Sequence, residues 1–180
     1  ARVLWRLGED WLGRETRTQL SPAGEDVTQP STAVVGGEDR LVYLRNRMDS
    51  NIWGMELGGK GSPRMLISSN RSDQSPALSG DGRQVAFGST RSGMWEIWVC
   101  RVDGENCRQI TRMGPGYSRN PTWSADGQWI VFESTGAGGS QLYLAEVASG
   151  KVEQLTKGRG NCRYPFWSRD GQWLYYTSNQ

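Results

Sequence analysis

The 180-residue chain sets 21 basic against 19 acidic side chains, a net charge of +2, too even a balance to point to nucleic acid or an anionic membrane surface. It contains no histidine, which removes Ser-His-Asp and Cys-His catalysis and histidine-based metal sites from this chain. Nine Trp beside 24 Gly and 7 Pro describe short strands joined by tight turns, and no apolar run approaches the length of a membrane span.

In chain order the segments fall into recurring columns. Residues 1–21 hold Leu4-Trp5 and then Gln19-Leu20-Ser21, two expected strands. A worn cluster starts at Pro30 and runs through Val34, Val35, Gly36, Gly37, Glu38 and Asp39. After it come Leu41-Val42-Tyr43, Ile52-Trp53 and Leu66-Ile67-Ser68. Next is Pro76-Ala77-Leu78-Ser79-Gly80-Asp81-Gly82, followed by Val85-Ala86-Phe87, Ile97-Trp98 and Gln109-Ile110-Thr111. The third copy is Pro121-Thr122-Trp123-Ser124-Ala125-Asp126-Gly127, with Ile130-Val131-Phe132, Leu142-Tyr143 and Gln154-Leu155-Thr156 behind it. The last is Pro165-Phe166-Trp167-Ser168-Arg169-Asp170-Gly171, followed by Leu174-Tyr175-Tyr176.

Prolines 30, 76, 121 and 165 keep a period of about 45 residues, and four strand columns share it. That period with four strands per unit marks a β-propeller blade, so the fold class is all-β, with four-stranded antiparallel blades and about four blade-equivalents per chain. The strands are labelled A to D from the axis outward. Residues 1–21 are expected to be strands C and D of one blade. Residues 29–69, 74–111 and 118–156 are three blades, and 163–180 are strands A and B of another. The two half blades are complementary, and pairing them would remove two exposed sheet edges. Three arrangements stay open: a closed four-bladed monomer or a dimer sharing two composite blades, in which the halves pair, or a piece of a larger propeller, in which the edges stay exposed. The Asp-Gly pairs at 81–82, 126–127 and 170–171 suit two-residue A-to-B hairpin turns, and Asp103-Gly104 suits a C-to-D turn. The aromatic columns are read as packing between blades.

Pro-x-Trp-Ser-x-Asp-Gly, an Ile-Val-Phe-type strand, Ser-x-Arg-x-Gly, Ile-Trp or Leu-Tyr, Asp-Gly and a closing Gln-Leu-Thr together resemble the TolB-type β-propeller repeat. Residues 74–111 carry it best, with Ser89-Thr90-Arg91-Ser92-Gly93 and Trp95-Glu96-Ile97-Trp98. The likeness covers nearly the whole chain and departs at the first full blade, where the Trp-Ser pair is missing. It implies the propeller regions of bacterial sensor or regulator proteins, a ligand- or protein-binding role, and a periplasmic or other extracytoplasmic location.

In a propeller the D-to-A and B-to-C loops share one face, where binding residues are expected. That face collects Arg47, Arg71, Arg91, Tyr117, Arg119, Arg159, Arg163 and Tyr164, and is more basic than the chain as a whole. Arginine holds carboxylates or phosphates in bidentate pairs, so an acidic peptide, protein tail or anionic small molecule is the expected ligand. A plainer reading is a solvated face, with Arg91 bonding loop carbonyls. A protein or peptide partner is expected, with no nucleic acid, no direct membrane insertion, and a monomer or a homodimer with shared blades. No catalytic, metal or cofactor residues are assigned. The inner strands Ala77-Leu78-Ser79, Thr122-Trp123-Ser124 and Phe166-Trp167-Ser168 carry no acid for the paired-carboxylate chemistry of propeller glycosidases. The alternatives are a propeller hydrolase or lyase, an accessory domain of an enzyme, and a purely structural module. Cys100 and Cys107 flank Asp103-Gly104 symmetrically; a disulfide is open to them, two small strand residues being the plainer reading. Cys162 leaves the cysteine count odd.

Overall fold

A computed structural model describes residues 5–9, 15–19, 26–35, 38–46, 49–55, 62–136 and 138–179, with side chains from residue 49 onward. The chain divides into two compact units, residues 1–48 and 49–180. All sixteen described elements are strands.

The first unit holds two antiparallel hairpins. Strands β1 (Trp5–Glu9) and β2 (Glu15–Gln19) pair with Trp5 opposite Gln19. Strands β3 (Asp26–Val35) and β4 (Glu38–Asn46) pair from Asp26 opposite Asn46 to Val35 opposite Glu38, with a register shift between Thr28 and Ser31.

The second unit is a succession of antiparallel sheets. Hairpin β5 (Ile52–Gly54) and β6 (Arg64–Ile67) comes first. A four-stranded meander comes next, of β7 (Asp73–Leu78), β8 (Gln84–Ser89), β9 (Glu96–Arg101) and β10 (Arg108–Gln109). A second meander repeats it with β11 (Ser118–Trp123), β12 (Trp129–Gly136), β13 (Gly139–Glu146) and β14 (Val152–Gln154). Hairpin β15 (Cys162–Trp167) and β16 (Leu174–Ser178) closes the unit.

The sheets stack because their second strands are apolar on both faces, as a strand buried between two layers must be. Ala86, Ile97, Val99 and Ile110 of one meander meet Trp123, Ile130, Phe132 and Ala145 of the next. The alternate residues Val85 and Phe87 face the other way, onto Ile52 and Ile67, while Val131 and Leu142 face Cys162. Each Val, Ile, Leu or Phe among them contributes roughly 1.5–3 kcal/mol on burial. Trp123 also ties two sheets together, its indole N–H donating to the Ala77 carbonyl at 2.9 Å. The aromatic columns do not pack uniformly: Trp98 and Tyr143 are half-buried, whereas Trp53, Tyr175 and Tyr176 are exposed.

The A-to-B turns differ from the two-residue form expected. Ser79 and Gln84 close a four-residue loop, with the Gly82 N–H bonded to the Ser79 carbonyl at 2.9 Å and φ of 71° at Gly82. Gly127 and Gly171 repeat this, with φ of 69° and 70°. The reason lies in the serine before each turn. Ser79 Oγ donates to Asp81 Oδ1 at 2.6 Å, and that oxygen also accepts the Arg83 N–H at 3.0 Å, so Asp81 caps a wider loop. Cys100 and Cys107 are joined in a disulfide across the β9–β10 hairpin rather than standing as separate small residues.

Candidate functional site

One face of the second unit is assembled from the loops that enter the inner strands β7, β11 and β15. Three equivalent clamps build it. Thr90 donates its N–H to the Ser72 carbonyl at 3.1 Å, and the Ser72 N–H donates back to Thr90 Oγ1 at 3.2 Å. Thr135 and Tyr117 repeat the exchange at 3.1 and 2.8 Å, and Asn179 and Asn161 at 3.3 and 2.6 Å. Neighbouring sheets are tied in as well. Asp73 N–H reaches the Ser50 carbonyl at 2.9 Å, Ser118 N–H reaches that of Trp95 at 3.1 Å, and Ser140 N–H reaches Asn161 Oδ1 at 2.9 Å.

Each inner strand then bulges at one residue. The register shifts lie between Gln74 and Ala77, Arg119 and Thr122, and Arg163 and Phe166. In each case the residue before the repeat proline is left-handed: Ser75, Asn120 and Tyr164 have φ of 53°, 52° and 54°. Such a conformation is costly for a side chain as large as tyrosine, and a following proline disfavours helical backbone in general. It persists because neighbours hold it. Ser75 Oγ donates to Asn120 Oδ1 at 2.8 Å across two sheets, and the Tyr164 N–H donates to Glu133 Oε2 at 3.2 Å.

Charge on this face is partly neutralised from within. Asp73 is buried and accepts Arg91 Nε at 3.2 Å and Nη2 at 2.9 Å, together with the hydroxyls of Ser89 at 2.6 Å and Ser69 at 3.0 Å. The Arg91 guanidinium lies 5.2 Å from the Phe87 ring centroid and 5.9 Å from that of Trp98. Only a long 3.5 Å contact from Arg91 reaches a loop carbonyl, that of Ser68. Arg119 Nε donates at 2.6 Å to Glu133, whose side chain is wholly buried. Both arginines are thus held to internal carboxylates, Arg119 keeping the rest of its guanidinium open on a half-exposed side chain.

The remaining residues expected on the face differ in exposure. Arg159 is exposed, and so are Tyr117 and Tyr164. Arg71 is half-buried. Arg163 is half-buried with Nη2 on Asn161 Oδ1 at 3.3 Å, while its Nε is buried with no hydrogen-bond partner among the described residues. Arg47 lies outside the described residues. Arg119, Asn120, Arg163 and Tyr164 come together around β11 and β15, where Glu133 touches both Arg119 and Tyr164.

Sequence reasoning missed Glu133 and Glu96. Glu96 is buried and accepts Thr111 Oγ1 at 2.5 Å and the Met113 and Gly114 N–H groups at 2.7 and 3.3 Å, so it fixes the loop leading to β11. The available signal was an acid set inside an apolar strand, Ile130-Val131-Phe132-Glu133 and Trp95-Glu96-Ile97. The opposite face carries Asp81, Asp126 and Asp170. The hydroxyls of Ser79, Ser124 and Ser168, and after them the N–H groups of Arg83, Gln128 and Gln172, hold these carboxyls below their ordinary value. A shallow groove of about 190 Å³ lies beside the first two, walled by Trp123 and Val147. Among the described residues no group of potential metal ligands gathers, and no helix is long and apolar enough to cross a membrane.

The fold is that of the TolB-like β-propellers. A putative TolB from Agrobacterium tumefaciens superposes with a TM-score of 0.64 at 22% identity, over 91% of this chain and 57% of that one. TolB from Acinetobacter baumannii superposes with a TM-score of 0.59 at 20% identity, over 79% of this chain and 32% of that one. The same fold occurs in a puromycin-hydrolyzing peptidase of Mycobacterium tuberculosis, with a TM-score of 0.56 at 16% identity over 99% of this chain and 35% of that one. In sequence, 61 residues are 36% identical to the uncharacterized protein Atu1656 of Agrobacterium fabrum, which is 34% of this chain and 20% of the relative. The chain therefore spans a minor part of that relative and between 32% and 57% of these structures. No protein-family model matches it.

Proposed function

We propose that this chain is a non-catalytic binding module, a propeller of about four blade-equivalents whose loop face recognises an acidic peptide or protein tail. On this reading residues 29–69, 74–111 and 118–156 are whole blades, and 1–21 and 163–180 are half blades. The observation that carries the proposal is the clamped loop surface itself. Backbone exchanges hold Ser72, Tyr117 and Asn161 in equivalent places, and the left-handed bulges beside them present Tyr164 and Asn120 on a preformed rim. Arg159 and Arg163 supply positive charge there without an internal carboxylate bonded to them among the described residues. Backbone strain concentrated in one patch accords with a preorganised recognition site.

Arg119 is a poor residue to remove, since its loss leaves the buried Glu133 carboxylate short of a donor. The informative variant is Arg159→Ala/Arg163→Gln. Fluorescence anisotropy with a labelled poly-glutamate peptide reads it. The expected result is an affinity for the native chain that weakens with salt and falls about tenfold in the variant, at unchanged thermal stability. Equal affinity in both proteins would remove the proposal.

The second reading, an accessory propeller domain of a peptidase, draws on the fold shared with the Mycobacterium peptidase, of which this chain matches 35%. It requires the face to meet a folded domain rather than a free peptide, and binding of the isolated acidic peptide separates the two.

A further inference from the structure

Glu96 and Gln141 hold the same place in the two four-stranded sheets. Each stands on the third strand opposite a serine of the second, Ser89 and Ser134. Each accepts a threonine hydroxyl: Thr111 Oγ1 donates to Glu96 Oε2 at 2.5 Å, and Thr156 Oγ1 donates to Gln141 Oε1 at 2.7 Å. This network fixes which way the amide points. Thr156 Oγ1 already accepts the Leu142 N–H at 2.9 Å, so its own proton goes to the Gln141 oxygen.

The remaining atom of each head group faces the loop that follows, and there the two sheets differ. A carboxylate only accepts, and an amide NH2 only donates. Glu96 Oε1 therefore draws N–H groups inward, those of Met113 and Gly114 at 2.7 and 3.3 Å. Gln141 Nε2 draws carbonyls inward, those of Gly158 and Gly160 at 3.4 and 3.1 Å. The Gly160 carbonyl lies 2.5 Å from where a Cβ on residue 139 would stand, so Gly139 lets this loop sit directly on the sheet. In a trans peptide the N–H points opposite to the carbonyl. Arg112 and Met113 thus turn their carbonyls away from Glu96, whereas Arg159 turns its N–H away from Gln141. The N–H of Asn161, in the same peptide plane as the Gly160 carbonyl, is held by Asn179 Oδ1 at 2.6 Å.

The N–H groups of Gly158, Arg159 and Gly160 have no acceptor among the described residues. Arg159 is exposed, and no carboxylate pairs with its guanidinium among the described residues. Arg112 on the other loop is also exposed, so charge alone does not separate the two loops; backbone polarity does.

We propose that the Arg159 N–H and guanidinium, with the neighbouring Gly160 N–H, form a carboxylate subsite. It takes one acidic side chain of the peptide in the reading above, on which this inference rests. Outward N–H groups beside a guanidinium make a concentrated anion receptor. The 112–114 loop, with its carbonyls outward, disfavours the same group.

The test is an amide NMR titration of the nitrogen-15-labelled chain with sodium acetate, referenced to sodium chloride at equal ionic strength. The expected result is a saturable shift of the Arg159 and Gly160 amides, at least about threefold larger than at Met113 and Gly114, whose N–H groups are held by Glu96. No acetate-specific shift at Arg159 and Gly160, or an equal shift at Met113 and Gly114, overturns the proposal. Arg159→Gln separates backbone from side chain. The same amides are expected to respond with affinity about tenfold weaker; complete loss of the response overturns the backbone subsite and leaves the guanidinium as the whole receptor. Repeating the titration with poly-glutamate peptide distinguishes this inference from the reading beneath it. Peptide that binds without shifting residues 158–160 overturns the subsite alone. An acetate response in a chain that does not bind the peptide upholds the subsite and overturns the acidic-peptide reading.

Discussion

Arg91→Met tests the buried charge pair that supports the loop face. The Asp73 side chain is fully buried and that of Arg91 is 17% exposed, so solvent screens the pair little. The substitution removes donors at 3.2 and 2.9 Å and leaves the carboxylate with the hydroxyls of Ser69 and Ser89. Stranding one member of a buried pair costs about 3–5 kcal/mol, and the surviving hydroxyl bonds place Arg91→Met near the lower end, at about 3 kcal/mol. With a urea m-value on the order of 2 kcal/mol/M, the unfolding midpoint falls by about 1.5 M. Urea unfolding followed by tryptophan fluorescence measures this directly in a chain with nine Trp. The double variant Asp73→Ser/Arg91→Met removes both charges and installs the arrangement of the next repeat, where Ser118 donates to Ser134 Oγ at 3.2 Å. It is expected to recover at least half of the loss, because replacing a whole buried pair is far cheaper than breaking one. A loss under about 1 kcal/mol in Arg91→Met, the range of an exposed pair, would refute this reasoning. So would a double variant less stable than the single one.

Four further outcomes rest on the same geometry. Gly116→Ala places a Cβ against the Thr135 carbonyl at a φ of 143° and is expected to cost more than about 2 kcal/mol, whereas Gly127→Ala, with open space around it and a φ of 69°, costs about 1 kcal/mol; thermal melts rank the two. Tyr164→Gly relieves a left-handed tyrosine and is expected to hold or raise the melting temperature while weakening acidic-peptide binding; a fall in both would make the residue merely structural. Asp81, Asp126 and Asp170 have folded pKa values below their unfolded ones, so their stabilisation is full above about pH 4 and is lost as pH falls through the lower folded values. The variant Ser79→Ala/Ser124→Ala/Ser168→Ala should therefore show a shallower loss of urea midpoint between neutral and strongly acid pH than the native chain. Alkylation in denaturant without reductant is expected to label one cysteine per chain, Cys162, and three after reduction.

The repeat was legible because its strongest columns carry physical necessity. Apolar runs such as Val85-Ala86-Phe87 and Ile130-Val131-Phe132 must lie between layers, and they do. Turn form was less legible, because Asp-Gly is common to two hairpin types and the choice depends on a serine hydroxyl two residues earlier. The left-handed bulge left no side-chain signature: Ser75, Asn120 and Tyr164 share only the proline after them. Charge on the face was legible only as a total. Arg91 and Arg119 resemble Arg159 in sequence, yet their carboxylate partners come from residues 18 and 14 positions away, brought close by strand pairing. Nothing in the sequence marks Asp73 as buried, since its environment is set by Ser89 on the adjacent strand.

The most direct test of the account is amide hydrogen exchange of the native chain with and without saturating poly-glutamate peptide. The account predicts added protection in 112–120 and 157–164, the loops and strand starts that carry Tyr117, Arg159, Arg163 and Tyr164, and none at the A-to-B turns around Asp81 and Asp126. Protection at those turns instead, or no change anywhere at a concentration where the peptide is bound, would contradict it.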